Sequence, residues 1–231
     1  MSIKKNTLCL IIGEGALEVV PTNILKEPSV QNQAESRKKL PKQMILDRSY
    51  HHRAMLSLPD SEKRGRPDLV HLSLLESPST PLYMRDFLKV IVDCYNGPSI
   101  YIGENVRLPR SYPRFLGLIE KLLSVKKVSF NDKDLLSIRK GGLKAIISDL
   151  KPTKIIGMSR LGKPSSVKEV ANLLSKEKQP ALIVGGFPRG QFSKETSEEF
   201  DETLSLGTDG LDAHIVIGRI LYEYENLVIG K

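Results

Sequence analysis

Three short apolar runs in the last third of the chain constrain its fold more than any other feature. Each leads into a polar loop that carries glycine: 154–159 into 160–164, Ala181-Leu182-Ile183-Val184 into Gly185-Gly186-Phe187-Pro188-Arg189-Gly190, and Leu204-Ser205-Leu206 into Gly207. Ser165 or Ser166 is placed to cap a helix reaching about residue 176, and a last helix is expected over 211–225. Short apolar strands alternating with helices predict an α/β fold with a mostly parallel sheet. Ligands of such sheets bind beyond the carboxyl ends of the strands, where all three loops fall. The 185–190 run lacks the Gly-Lys-Ser/Thr ending of a P-loop and does not match the dinucleotide fingerprint. Its glycines let a ligand approach the backbone, and the same run is equally suited to a packed turn.

The remainder of the chain is read from its apolar runs and its breakers. Residues 8–12 form a first strand, and 16–25 a helix limited by Pro21. Residues 26–43 are polar, with Pro28, Pro41 and the basic run Ser36-Arg37-Lys38-Lys39, and predict a mobile loop or insertion. A helix is expected over 44–58, a strand over 69–75 and another over 87–95. Asn96-Gly97-Pro98 turns the chain into a strand over 99–103. Residues 131–150 read as a helix capped by Asn131, with a break or second start at Gly141-Gly142.

Two arginine clusters stand out against this frame. Arg64-Gly65-Arg66-Pro67-Asp68 precedes the apolar run at 69–75, so Arg66 and Asp68 flank a rigid proline at the mouth of the expected strand. Taken alone, these five residues also fit a surface turn with an ion pair. The second cluster is Arg107-Leu108-Pro109-Arg110-Ser111-Tyr112-Pro113-Arg114. Ser111 is placed as a helix cap and Pro113 lies in the first turn of an amphipathic helix. Arg107, Arg110 and Arg114 thus gather at a helix start, which favours phosphate through free N–H groups and the helix dipole. The architectural alternative pairs them with Glu104 or Glu120. A net charge of +8 over 231 residues suits a phosphate-rich partner such as RNA, and is also compatible with a merely soluble basic protein. With no Trp and only 6% aromatic residues, base stacking is a poor basis for recognition.

Other chemistries find little support. The two cysteines, Cys9 and Cys94, sit inside apolar runs and are expected as buried thiols in a reducing compartment. No Cys/His spacing suggests zinc, and adjacent His51 and His52 cannot share a helix face, so no metal is expected. Lys4-Lys5 before an apolar run faintly imitates a signal peptide, but Glu14 and Glu18 interrupt it. No run approaches the roughly 20 residues needed to span a bilayer. No membrane association and a cytoplasmic location are therefore expected. Neither a Ser-His-Asp order nor a paired acidic site supports hydrolysis or acyl transfer.

Four separated motifs, covering nearly the whole chain, together resemble one family. They are Ile45-Leu46-Asp47-Arg48-Ser49-Tyr50-His51-His52, the 64–75 segment, the 107–117 segment, and Val184-Gly185-Gly186-Phe187-Pro188-Arg189-Gly190. In this order they resemble the pseudouridine-N1-specific methyltransferases of small-subunit ribosomal RNA, of the knotted SPOUT class. The basic 26–43 stretch is longer than that pattern leads one to expect. The resemblance implies one SPOUT-like domain over 1–231 with family-specific hairpin and helical insertions. Residues 151–231 would form a trefoil knot that binds S-adenosylmethionine. It implies a homodimer acting on small-subunit rRNA in ribosome biogenesis, alongside assembly proteins. By matching positions, Gly185, Gly190, Leu204, Ser205, Leu206, Gly207, Thr208 and Asp209 would line the cofactor pocket. Arg107, Arg110 and Arg114 would hold RNA, Arg66 would contact the target nucleotide, and Asp68 would orient Arg66 or, less suitably beside a cation, accept the proton. A different reading keeps the RNA-binding arginines and makes the protein a non-catalytic assembly factor.

Overall fold

The computed structural model describes residues 7–207 and 209–230. Lys4 and Lys5, read above as part of a signal-like start, lie outside the described residues, as does Thr208. Eight strands form one mixed sheet: β1 (Leu8–Gly15), β2 (Leu88–Cys94), β3 (Ser99–Ile102), β4 (Lys127–Phe130), β5 (Lys133–Arg139), β6 (Lys154–Pro164), β7 (Pro180–Gly185) and β8 (Glu202–Ser205). Their order is β4-β5-β3-β2-β1-β7-β6-β8. The β2-β1-β7-β6-β8 half is parallel, and β3, β5 and β4 continue it antiparallel. The α/β class and its parallel C-terminal half thus agree with the sequence.

The central strands are apolar at nearly every position because both faces are covered. Helices α3 (Pro67–Glu76), α5 (Tyr112–Val125), α7 (Val167–Ser175) and α9 (Ala213–Val228) pack on one face, around Leu10, Val90, Phe115 and Tyr224. On the other, α6 (Gly142–Leu150) covers Cys9, Ile11 and Ile183. Both cysteines are buried free thiols. A smaller core gathers Val20, Val30, Met44 and Met55 around α1 (Pro28–Arg37) and α2 (Arg48–Met55). The remaining helices, α4 (Pro81–Met84) and α8 (Lys194–Ser197), are single turns.

Several local expectations are corrected. The 69–75 run is a helix, α3, not a strand. Pro67 occupies its first turn, and Asp68 meets the positive end of its dipole. The 26–43 stretch is not a loop: α1 starts at Pro28 and ends where Lys38 turns left-handed. Arg37 Nη1 and Nη2 donate to Glu120 Oε1 and Oε2 at 2.7 and 2.8 Å, and Lys39 pairs with the same carboxylate. That buried carboxylate on α5 anchors the polar segment, which has little apolar surface of its own. Residues 16–25 hold only a short 3-10 turn at Thr22–Ile24, and Val19 bridges Ile45 instead. Consequently 44–46 run extended, and the helix expected from residue 44 begins at Arg48, behind Asp47. Asn131 caps no helix: with Asp132 it adopts positive φ and turns β4 into β5. Gly142 does start the helix that follows. The polar 160–164 loop belongs to β6. Ser166 caps α7 in a full capping box, whereas Ser111 stands at the start of α5 without a side-chain capping bond.

Candidate active site

The middle of β6, the loops following β7 and β8, and the start of α9 enclose a cavity of about 520 Å³. Gly185, Gly190, Leu204, Ser205, Leu206, Gly207 and Asp209 all line it. Sequence reasoning missed other parts of the wall: Leu69 from α3, Met158, Ser159 and Arg160 from β6, Phe187, Pro188, Arg189, Gln191 and Phe192 after β7, and Asp212, Ala213 and Val216 about the start of α9. The 184–190 run was legible as a loop at the ligand end of the sheet, but nothing in the sequence marked Phe187, Pro188, Arg189 or Gln191 as wall residues. Gly190 has φ +93°, a conformation that side chains oppose. The size and mixed lining of the cavity match a small-molecule site, and its exposed glycine backbone lets a ligand approach closely.

Beside this cavity stands the Arg66–Asp68 pair. Arg66 precedes the first residue of α3, and its Nε and Nη2 donate to Asp68 Oδ1 and Oδ2, both at 2.8 Å. The two side chains are about two-fifths exposed, 38% and 41%, so the fork is held yet reachable. The hydrogen bonds to Asp68 raise the Arg66 pKa against partial burial, with Asp212 and Asp47 adding to them. Leu69, one residue beyond Asp68, lines the cavity, as does Asp212. The pair and the cavity are thus joined through α3 and the start of α9.

The loop that presents Arg66 is tightly fixed. Gly65 has φ +67°, and a Cβ there would fall 2.6 Å from Met55 Cε. Its carbonyl accepts from the Arg48 N–H at 2.8 Å. Arg64 is buried and donates to Glu18 Oε1 and Oε2, both at 2.7 Å. Glu18 keeps the Arg64 guanidinium charged against burial, which opposes the charge. Of the two arginines flanking Gly65, one is therefore structural and the other is presented.

The second cluster lies across α3. His71 Nε2 donates to the Pro109 carbonyl at 2.7 Å, and its ring stacks on Phe115 with centroids 4.2 Å apart. Tyr112 Oη donates to the buried Asp47 at 2.5 Å. These contacts fix the 107–114 segment beside α2 and α3. Arg107, Arg110 and Arg114 are exposed, and none has an ion pair among the described residues. Glu120, the alternative partner, is occupied by Arg37 and Lys39. His51 is buried, with Nδ1 accepting the Asp47 N–H, while His52 is exposed, so the two face apart.

A glycine-walled cavity beyond parallel strand ends, flanked by exposed arginines, defines an α/β protein built to hold a small ligand beside a polyanion. The chain belongs to the EMG1/NEP1 methyltransferase family, whose family model matches residues 10–225. The ribosomal RNA small subunit methyltransferase Nep1 of Pyrococcus furiosus is 39% identical over 225 residues, 97% of this chain and 99% of that protein. Its counterpart in Thermococcus kodakarensis is 38% identical over 218 residues, 94% and 97% of the two chains. A crystal structure of Archaeoglobus fulgidus Nep1 bound to S-adenosylhomocysteine is 34% identical, covers 96% of this chain and 98% of its own, and superposes with a TM-score of 0.84.

Proposed function

We propose that the protein transfers a methyl group from S-adenosylmethionine to N1 of a pseudouridine in small-subunit ribosomal RNA, as a step of ribosome biogenesis. The observation that carries this reading is the forked Arg66–Asp68 pair beside the glycine-walled cavity, with three uncommitted arginines across α3. Gly185, Gly190, Leu204, Ser205, Leu206, Gly207 and Asp209 would hold the methyl donor, largely through backbone groups. Thr208 shares that expected role but lies outside the described residues. When bound, S-adenosylmethionine supplies a sulfonium methyl already activated for transfer, so the chain needs no nucleophile of its own.

Pseudouridine N1–H is a weak acid: its proton would pass to solvent water, and the anion at N1, which would take the methyl as the S–CH3 bond breaks and S-adenosylhomocysteine leaves, must be stabilised. Arg66 would supply that charge from a fixed position. Asp68 would orient Arg66 by accepting both hydrogen bonds, which leaves its oxygens engaged and poorly placed to take a proton. Arg107, Arg110 and Arg114 would grip backbone phosphates and set the register of the RNA.

The reading extends to the assembly. A second copy would cover apolar area that α3, α4 and α9 leave exposed at Leu72, Met84, Ile215 and Tyr222. The trefoil knot that the resemblance implies for 151–231 belongs to it as well. A cytoplasmic location and contacts with assembly proteins complete it.

Mass spectrometry of one small-subunit RNA hairpin, in uridine and pseudouridine versions, tests the reaction with labelled methyl donor. Methylation of the pseudouridine version alone is expected. Absence of label from both would leave RNA binding without turnover.

A further inference from the structure

Glu14 and Lys63 form a buried link that neither the cavity lining nor the RNA-facing arginines explain. Glu14, next to last in β1 and within its register shift, adopts a left-handed conformation, φ 48°, unusual for a glutamate. Its carboxylate accepts from Lys63 Nζ at 2.9 Å and from the Ser193 N–H at 2.7 Å. The two side chains are only 10% and 13% exposed. Burial opposes the charge on Glu14, but Lys63 and Ser193 outweigh it and lower its pKa.

Lys63 makes two further contacts, both with the cavity wall. Its ammonium lies 4.9 Å from the ring centroid of Phe187. Its stem closes on Gly190, where an added Cβ would fall 3.2 Å from Lys63 Cε. Phe187 and Gly190 line the cavity. Lys63 also immediately precedes Arg64, the buried anchor of the loop that presents Arg66. One lysine therefore touches the wall at two points, while Glu14 fastens the end of the same segment at Ser193.

We propose that Lys63 and Glu14 are positioning residues that pin the 187–193 wall of the methyl-donor pocket to the loop presenting Arg66. The role rests on the functional reading above. The link fixes the distance between the wall that holds the donor and the arginine that faces the acceptor. A cation over a ring and a paired carboxylate are both lost when Lys63 becomes apolar. The wall then loses its two points of attachment to the target loop.

Lys63→Met is compared with wild type and with Lys63→Arg, which keeps both the ion pair and the cation over Phe187. Calorimetry with S-adenosylhomocysteine should show Kd raised about tenfold in Lys63→Met and largely recovered in Lys63→Arg. KM for S-adenosylmethionine should rise with it, while hairpin affinity without the donor stays within about twofold. Hydrogen exchange of the unliganded proteins supplies an independent readout: amides 187–193 should exchange faster in Lys63→Met alone. Glu14→Gln, which keeps an acceptor for Ser193 but loses the charge, should shift both readouts the same way and serves if Lys63→Met does not fold. Unchanged exchange at 187–193 together with an unchanged Kd would overturn the proposal. A wild-type protein that takes up no S-adenosylhomocysteine would instead remove the methyl-transfer reading, and the exchange comparison would still decide the link.

Discussion

Two arginines separated by one glycine carry opposite duties. Arg64 is 4% exposed and fully engaged by Glu18. Arg66, 38% exposed at its side chain, has only Asp68 and faces outward. Removing Arg66 should therefore cost little stability, on the order of 0–1 kcal/mol as for exposed pairs, while methyl transfer falls below detection. Thermal melting alongside the labelled-methyl assay checks both halves, and turnover persisting in Arg66→Ala would take the residue out of the mechanism. Arg66→Lys should stay strongly impaired, because an ammonium cannot make the two-pronged contact to Asp68. The presence of an arginine site was legible in the sequence, but which arginine faces solvent was not. That choice depends on Glu18, 46 positions before Arg64, whose approach only the folded chain reveals. Asp93 offers a second test at this scale. Burial raises its pKa to about 6, against the Ser99 hydroxyl that donates to Oδ1 at 3.1 Å. The folded state thus binds this proton more tightly than the unfolded chain does. Asp93 supports the fold below its unfolded value and loses that support as pH rises from about 4 to about 6. Asp93→Asn should flatten this slope and raise stability at pH 7 by up to about 3 kcal/mol, as urea melts from pH 4 to 7 would record.

At the scale of elements, the strand read over 69–75, the loop over 26–43 and the helix over 131–150 went astray where a partner or a turn decided the outcome. The 69–75 run is apolar except at His71 and Ser73, and such a run suits a buried strand as well as a buried helix. What settles it is Pro67 in the first turn and the fit of His71 against Phe115 and the Pro109 carbonyl. The 131–150 segment hid a hairpin because its turn uses Asn131-Asp132, both left-handed, in place of the Asn-Gly signal. By contrast the β2–β3 hairpin, the α7 cap and the apolar strands of the C-terminal half were readable, since their signals are local. The 26–43 stretch is the clearest failure of composition. Its helix exposes half of its residues and buries only Val30 and Ala34. It holds because Glu120 receives Arg37, Lys39 and the Ile45 N–H. Burial opposes the Glu120 charge, yet these three donors lower its pKa. The support is therefore present above the ordinary glutamate range and is lost as pH falls through it. Glu120→Ala should strip both cations of their partner and cost about 3 kcal/mol. Limited trypsin digestion should then cut first at Arg37 to Lys39, and cleavage there no faster than in wild type would argue that α1 stands without α5.

At the scale of the molecule, the sequence conveyed a charge of +8 but not where it is concentrated. Part of the basic surface is neutralised locally: Lys127 by Asp134, Arg139 by Asp149, Lys154 by Glu202. The exposed start of α5 differs, because Arg107, Arg110 and Arg114 stand without ion pairs among the described residues on a segment fixed by His71 and Tyr112. A long-range attraction spread over the whole surface and a local grip at these three residues make different demands on salt. Under the first, replacing one arginine lowers the net charge slightly and leaves the salt slope of RNA binding nearly unchanged. Under the second, each replacement removes one released counterion set, about 0.7 to 0.9 of slope per lost phosphate contact. Arg110→Ala and Arg114→Ala should each lower the slope by about that amount, and the double variant by about twice as much, because neither side chain supports the fold. Lys127→Ala, a cation already paired and set on the far edge strand β4, serves as the control with an unaltered slope. Anisotropy titrations of a small-subunit hairpin across a salt series distinguish the cases. A slope that responds equally to Arg110 and to Lys127 would mean that the fold presents no local phosphate grip and that RNA is held by net charge alone.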